Sequence, residues 1–455
     1  MLSEAIEHAR SNRETYLNQL FDFLRIPSIS TLAEHVPDMK RAAEWLAADM
    51  RRVGMKSVEI LPTDGHPVVY GEWLEAGAGA PTVLVYGHYD VQPVDPLELW
   101  DSPPFEPDIR DGKLYARGAS DDKGQLYTHV KAVESILSSS GTLPINVKMF
   151  FEGEEEIGSQ NLTPFVIANT DRLAADSTVI SDGSVISADQ PSITYGLRGM
   201  AYMEIKVRGP KRDLHSGSYG GSIHNPAQVV GEIIASLHDE DGHILIPGFY
   251  DKVRSISDEE RELLNQVPDG LETWQKETGL KKPWGEPEFS LIERVSSRPT
   301  CEVNGIWGGF QGKGMKTIIP AEAGAKISMR LVADQDPYEI AELFAEHVRQ
   351  VASDSVEVEV NRLSTDWPAF TPIDSPEMQA ASKAYEAVWG VTPVFTRTGG
   401  TIPIVAVLQK ELNAPTAFIG FGLEDNIHAP NENFVVEHFY KGIETIIHYY
   451  YDLAE

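Results

Sequence analysis

The sequence holds a single cysteine, Cys301, in 455 residues. No intrachain disulfide can form, and a thiolate metal cluster is ruled out. Basic residues are also scarce: 38 Lys and Arg stand against 69 Asp and Glu, for a formal charge of −31. Phosphate-rich partners are bound by clustered cations, so neither nucleic acid nor an anionic membrane is expected as a partner. No apolar run approaches the roughly 18 residues that would span a bilayer. The N-terminal stretch "MLSEAIEHARSNRETYLNQL" lacks the basic start and apolar segment of a secretory signal; the expectation is a cytoplasmic protein. Internal repeats and low-complexity tracts are missing too. What remains is an ordinary globular composition, long enough for two or three cored domains.

The texture of the chain divides it. Early on, short apolar runs such as "TVLVYGHYD", "INVKMFF" and "TVISDG" alternate with helical patterns such as "MKRAAEWLAADMRRVGM". That alternation predicts an α/β domain with a mostly parallel central sheet and helices on both faces. Near "YGLRG" the pattern changes to "AYMEIKVRG", which alternates as a half-exposed strand should. A helix, a further strand, a helix "PYEIAELFAEHVRQVA" and the strand "SVEVEVNRL" follow. This predicts a small α+β, ferredoxin-like sheet covered by helices on one face. Residues 240–300, polar and rich in Pro and Gly, read as an insertion within it. After "DWPAFTP" the first texture returns. The expected organisation is a discontinuous larger domain, 1–198 and 367–455, with a smaller one, 199–366, inserted.

Polar residues punctuate the ends of the apolar runs. "LVYGHYD" ends in His88 and Asp90, "GASDDKG" carries Asp121 and Asp122, "FFEGEEEIGS" carries Glu154, Glu155 and Glu156, and "VISDG" carries Asp182. His428 lies in "NIHAPNE". In an open α/β sheet, groups at strand carboxyl ends converge on one crevice. Imidazole and carboxylate without thiolate is the donor set of a hydrolytic zinc, manganese or cobalt site. His88 and Asp90, two apart in extended chain, point the same way, so the carboxylate can fix the imidazole. Of the three glutamates, one can be a ligand, and a neighbour held off the metal could take a proton from water. The plainer alternative is a set of Asx turns, helix caps and a solvated acidic turn in a chain full of carboxylates. Spacing alone leaves both readings open.

The ordered motifs "YGHYDVQPV", "WDSPPFEP", "LYARGASDDKG", "EGEEEIGS", "ITYGLRG", "DLHSGSYGG", "KTIIPAEAGAKISMRLV", "TGGTIP" and "HAPNE" resemble the dinuclear metallopeptidases. That family includes carnosine dipeptidase, cytosolic nonspecific dipeptidase, glutamate carboxypeptidase and aminoacylase, and the dipeptidase branch looks nearest. The resemblance implies two divalent ions per subunit, Zn²⁺ or Mn²⁺ with Co²⁺ also suited. His88 and Asp182 would hold one, Glu156 and His428 the other, and Asp121 would bridge them, followed by a cis peptide bond. Glu155 would be the general base for a metal-bridging water and Asp90 the clamp on His88, which leaves Glu154 solvated. The inserted domain would be a lid that forms a homodimer, with His215 reaching the partner subunit's site to steady the oxyanion. Thr317, Arg330, Gly400 and Thr401 match substrate-contacting positions, and Arg330 suits a bidentate grip on a terminal carboxylate. Thr401 replaces a serine usual in the dipeptidases, and the lead-in to the final histidine also differs. Both departures bear on specificity, not on the metals. The function implied is hydrolysis of dipeptides or very short peptides. The alternatives are hydrolysis of N-acyl amino acids and, more remotely, an inactive scaffold.

Overall fold

A computed structural model describes every residue except Ala78, Pro268, Asp269, Thr401 and Glu424. The chain forms two compact units: Met1–Tyr195 with Phe370–Thr396 and Val407–Glu455, and Gly196–Ala369 with Arg397–Ala406.

The larger unit is built on a nine-stranded sheet. Its middle is parallel: Asn146–Glu152, Thr82–His88, Ser177–Ile180 and Thr416–Ile419 lie side by side. Antiparallel strands flank this core, with Lys56–Leu61 and Val68–Trp73 on one side and Ser192–Leu197 on the other. The central strands are buried almost throughout, so they read as continuous apolar runs and not as alternating ones. Register then sets the chemistry. His88 pairs with Glu152, and Tyr86 pairs with Ile180, so two strands end level and Asp182, two residues past the third, comes level with His88. Helix Lys123–Ser140 packs on strand Thr82–His88 and against the terminal helix Val436–Asp452. A glycine lets it come close: a Cβ on Gly87 would lie 2.7 Å from Asp122 Oδ2 and 2.9 Å from Leu126 Cβ. Among the described residues no helix is long and apolar enough to cross a membrane.

In the smaller unit an antiparallel sheet runs in the order Thr300–Gly308, Glu322–Leu331, Gly199–Arg208, Glu357–Asp366. Helices Pro226–Ala235 and Pro337–Val351 pack on it, giving the β-α-β-β-α-β order of a ferredoxin-like fold. Alternate residues Ala201, Met203, Ile205 and Val207 enter its core, as "AYMEIKVRG" predicts. Strand Thr300–Gly308 escaped the sequence reading for a physical reason. It is an edge strand with a register shift between Val303 and Gly305, so its burial does not alternate. The 240–300 insertion contains the short helices Asp258–Leu264, Leu271–Thr278 and Leu291–Ser296.

Candidate metal centre

Three strand ends, one helix N-terminus and one turn of the larger unit deliver its polar residues to one place. His88 is the last residue of its strand. Glu155 and Glu156 begin a 3₁₀ turn three residues beyond Glu152, and Asp182 follows Ile180 by two. Asp121 immediately precedes the N-cap of helix Lys123–Ser140, and the Asp121–Asp122 peptide is cis. His428 comes from a turn before the terminal helix, with φ +58.

The side chains form two groups. In one, His88, Asp121 and Asp182 each offer a ligand atom within 4.8 Å of the others, and in the second Asp121, Glu156 and His428 do the same. Asp121 belongs to both because its oxygens diverge. Oδ1 lies 3.0 Å from His88 Nε2, and Oδ2 lies 2.8 Å from His428 Nε2. Asp182 Oδ2 is 3.8 Å from His88 Nε2, and Glu156 Oε2 is 3.3 Å from His428 Nε2.

Asp90 serves two masters. Its Oδ1 is 3.4 Å from His88 Nδ1 and its backbone oxygen 3.1 Å from the same atom. Its carboxylate also accepts the backbone N–H groups of Glu155 at 3.3 Å and Glu156 at 3.1 Å. Asp90 thus ties the histidine-bearing strand to the glutamate turn.

The third glutamate corrects an expectation. Glu154 is not solvated: it is buried and accepts from the backbone N–H groups of His66 at 2.9 Å and Asn161 at 3.3 Å. Asn161 Nδ2 adds a further bond at 3.1 Å. The loop carrying Gly65 and His66 covers it, and these donors replace water.

The electrostatics describe an acidic cluster short of cations. Burial first, then Asp182 and Glu156 against the pull of His88, push the Glu155 carboxyl up to about 8. Burial and Asp121 push Asp182 up to about 7. Hydrogen bonds to Asp121 and Glu156 raise His428 to about 10. Burial opposes an imidazolium at His88, yet Asp121 and Asp90 outweigh it and raise its pKa well above the usual value. Protons collect on the imidazoles because carboxylates surround them. Two imidazoles and three carboxylates, one with an oxygen for each group, are a donor set suited to two divalent ions.

The other expected site residues lie in the smaller unit. His215 is exposed, and its Nδ1 accepts the Gly217 N–H at 2.9 Å. It pairs in a short ribbon with Ile318, next to exposed Thr317, whose carbonyl accepts the Ser216 N–H at 3.0 Å. Arg330 sits mid-sheet, opposite Thr300 on one side and Met200 on the other. The Gly400 N–H is 3.2 Å from Thr398 Oγ1. Thr401 lies outside the described residues. Sequence reasoning passed over Gln92, whose amide donates to Glu156 Oε2 at 2.6 Å, and Glu432. Both stand inside quoted motifs, but an amide and one more acidic residue carried no signal of their own.

A family profile for "Peptidase family M20/M25/M40" matches residues 84–452. The chain is 31% identical to the Cys-Gly metallodipeptidase dug1 of Schizosaccharomyces pombe, over all of this chain and 98% of that protein. It is 30% identical to the human Beta-Ala-His dipeptidase, over all of this chain and 93% of that one. Among solved structures it resembles the M20 family metallo-carboxypeptidase Sso-CP2 of Sulfolobus solfataricus, with 34% identity and a TM-score of 0.80, covering 96% of this chain and 99% of that one.

Proposed function

The chain belongs to the peptidase family M20/M25/M40 and is an enzyme acting on peptide bonds; from that premise we propose that it is a dinuclear metallo-dipeptidase of the cytoplasm. The observation that carries this reading is the divergence of the Asp121 oxygens toward His88 and His428. His88 and Asp182 would hold one divalent ion, Glu156 and His428 the other, and Asp121 would serve both. Zinc or manganese, with cobalt as a third candidate, would supply Lewis acidity there and lower the pKa of water from about 15.7 toward about 7.

The protein's own groups do the rest. Glu155, its carboxyl raised by burial, takes the proton of the attacking water and returns it to the leaving amine. Asp90 keeps His88 oriented and holds the turn that carries Glu155. The inserted segment 199–366 acts as lid and dimerisation domain. His215 of a second copy donates to the developing oxyanion, and Arg330 grips the substrate's terminal carboxylate with Thr317, Gly400 and Thr401 around it. Homodimerisation is supported by the sheet edge at Thr300–Gly308, where Val303 and Ile306 are exposed.

Protein reconstituted separately with each metal is expected to hydrolyse free dipeptides and to spare N-acetyl and N-succinyl amino acids. Cleavage of the acylated compounds alone would move it to the aminoacylase side of the family. A second reading, removal of C-terminal residues from longer peptides, is favoured by the likeness to the Sulfolobus metallo-carboxypeptidase. Tripeptides and pentapeptides in the same panel separate the two.

A further inference from the structure

The residues assigned to the second ion come from distant parts of the chain: His428 and Asp121 are 307 positions apart. Something must register them against each other before an ion arrives. Glu432, four residues after His428, is fully buried. Its Oε2 accepts from Arg117 Nη1 at 2.8 Å and the Gly118 N–H at 3.0 Å. Its Oε1 accepts the N–H groups of Ser120 at 2.9 Å and Asp121 at 3.1 Å. The Glu432 carbonyl accepts the Ala116 N–H at 3.2 Å. All four side-chain partners are donors, so only an ionised carboxylate satisfies them together.

Arg117, equally buried, extends the same link. Its Nη2 donates to the Pro93 carbonyl at 2.9 Å, next to Gln92, whose amide grips Glu156. One buried ion pair therefore touches the segments that carry or steady Asp121, His428 and Glu156. Those are the three members of the second ligand group.

We propose that Glu432 is a positioning residue for metal binding: through the backbone N–H groups of residues 118–121 it holds Asp121 in register with His428 and Glu156. The inference rests on the ligand assignment above. A staple of purely structural use would alter melting alone, whereas a positioning role alters affinity for the ion. Outer partners of metal ligands typically change affinity by about 10–100-fold when replaced.

The test is chelator competition on metal-depleted wild type, Glu432→Gln and Glu432→Asp, with zinc and manganese titrated separately. Glu432→Gln puts an amide N–H₂ against backbone donors and should weaken ion binding about 10–100-fold. Glu432→Asp keeps the charge with a shorter reach and should recover part of that loss; it also carries the test if the glutamine variant does not fold. Wild-type affinity in folded Glu432→Gln, or in Glu432→Asp where the glutamine variant does not fold, overturns the proposal while leaving the dipeptidase reading standing. A wild-type protein that takes up neither ion overturns the ligand assignment itself.

Discussion

The two units hold their chemistry-bearing residues in opposite ways. In the larger one, three of the five candidate ligands have a polar support behind them: Asp90 behind His88, Gln92 behind Glu156, Glu432 behind Asp121. In the smaller one, His215 sits exposed on a two-residue ribbon, with exposed Thr317 next to it. On the proposed assignment, groups that would meet an ion at fixed geometry are set by buried donors and acceptors. Groups proposed to answer to a substrate are left where a substrate can reach them. The difference is one of preorganisation, and it can be broken from either side.

The largest effect is expected at Glu155. Glu155→Gln should retain both ions, measured by elemental analysis, while kcat falls by about 10²–10⁴-fold; near-normal turnover would remove the base from its role. Next comes His215→Ala, for which kcat should fall by about 10²–10³-fold with metal content unchanged. A fully active variant would end the oxyanion assignment. Glu154→Gln should leave ligands and base in place and appear as lost stability. Exchanging an oxygen for an amide in a buried cradle of donors costs ~1–3 kcal/mol, measured by urea denaturation of the metal-depleted protein.

The smallest effect concerns acid. Burial holds the His129 imidazole, bonded to Ser181 and 3.3 Å from the Tyr450 hydroxyl, down to about 3 from 6.5. Above 6.5 both folded and unfolded chains are neutral there. Between 6.5 and about 3 the unfolded chain takes the proton and the folded chain does not, so stability drops as pH falls. His129→Gln should make the acid limb of a stability profile shallower; an unchanged slope would mean that other groups set it.

Much of this was legible before any coordinates. The apolar runs ending at His88, Glu152 and Ile180 marked central strands, because a strand buried on both faces has no polar positions to hide. Their relative register was not legible, since it is a property of pairing and not of any one strand. Asp121 and His428 were matched through the order of motifs; no periodicity could join residues so far apart. Glu154 was misjudged because a run of three like charges suggests water, whereas its donors come from His66 and Asn161 in other loops. Strand Thr300–Gly308 was hidden by its bulge and exposed edge.

His88 is wholly enclosed, while the His428 side chain is 53% accessible. The two candidate ligand groups that share Asp121 therefore open unequally to solvent. With both filled as proposed, an incoming chelator or a replacement cation would gain its foothold on the His428 side, and depletion in solution should run through a half-loaded species that keeps the inner ion.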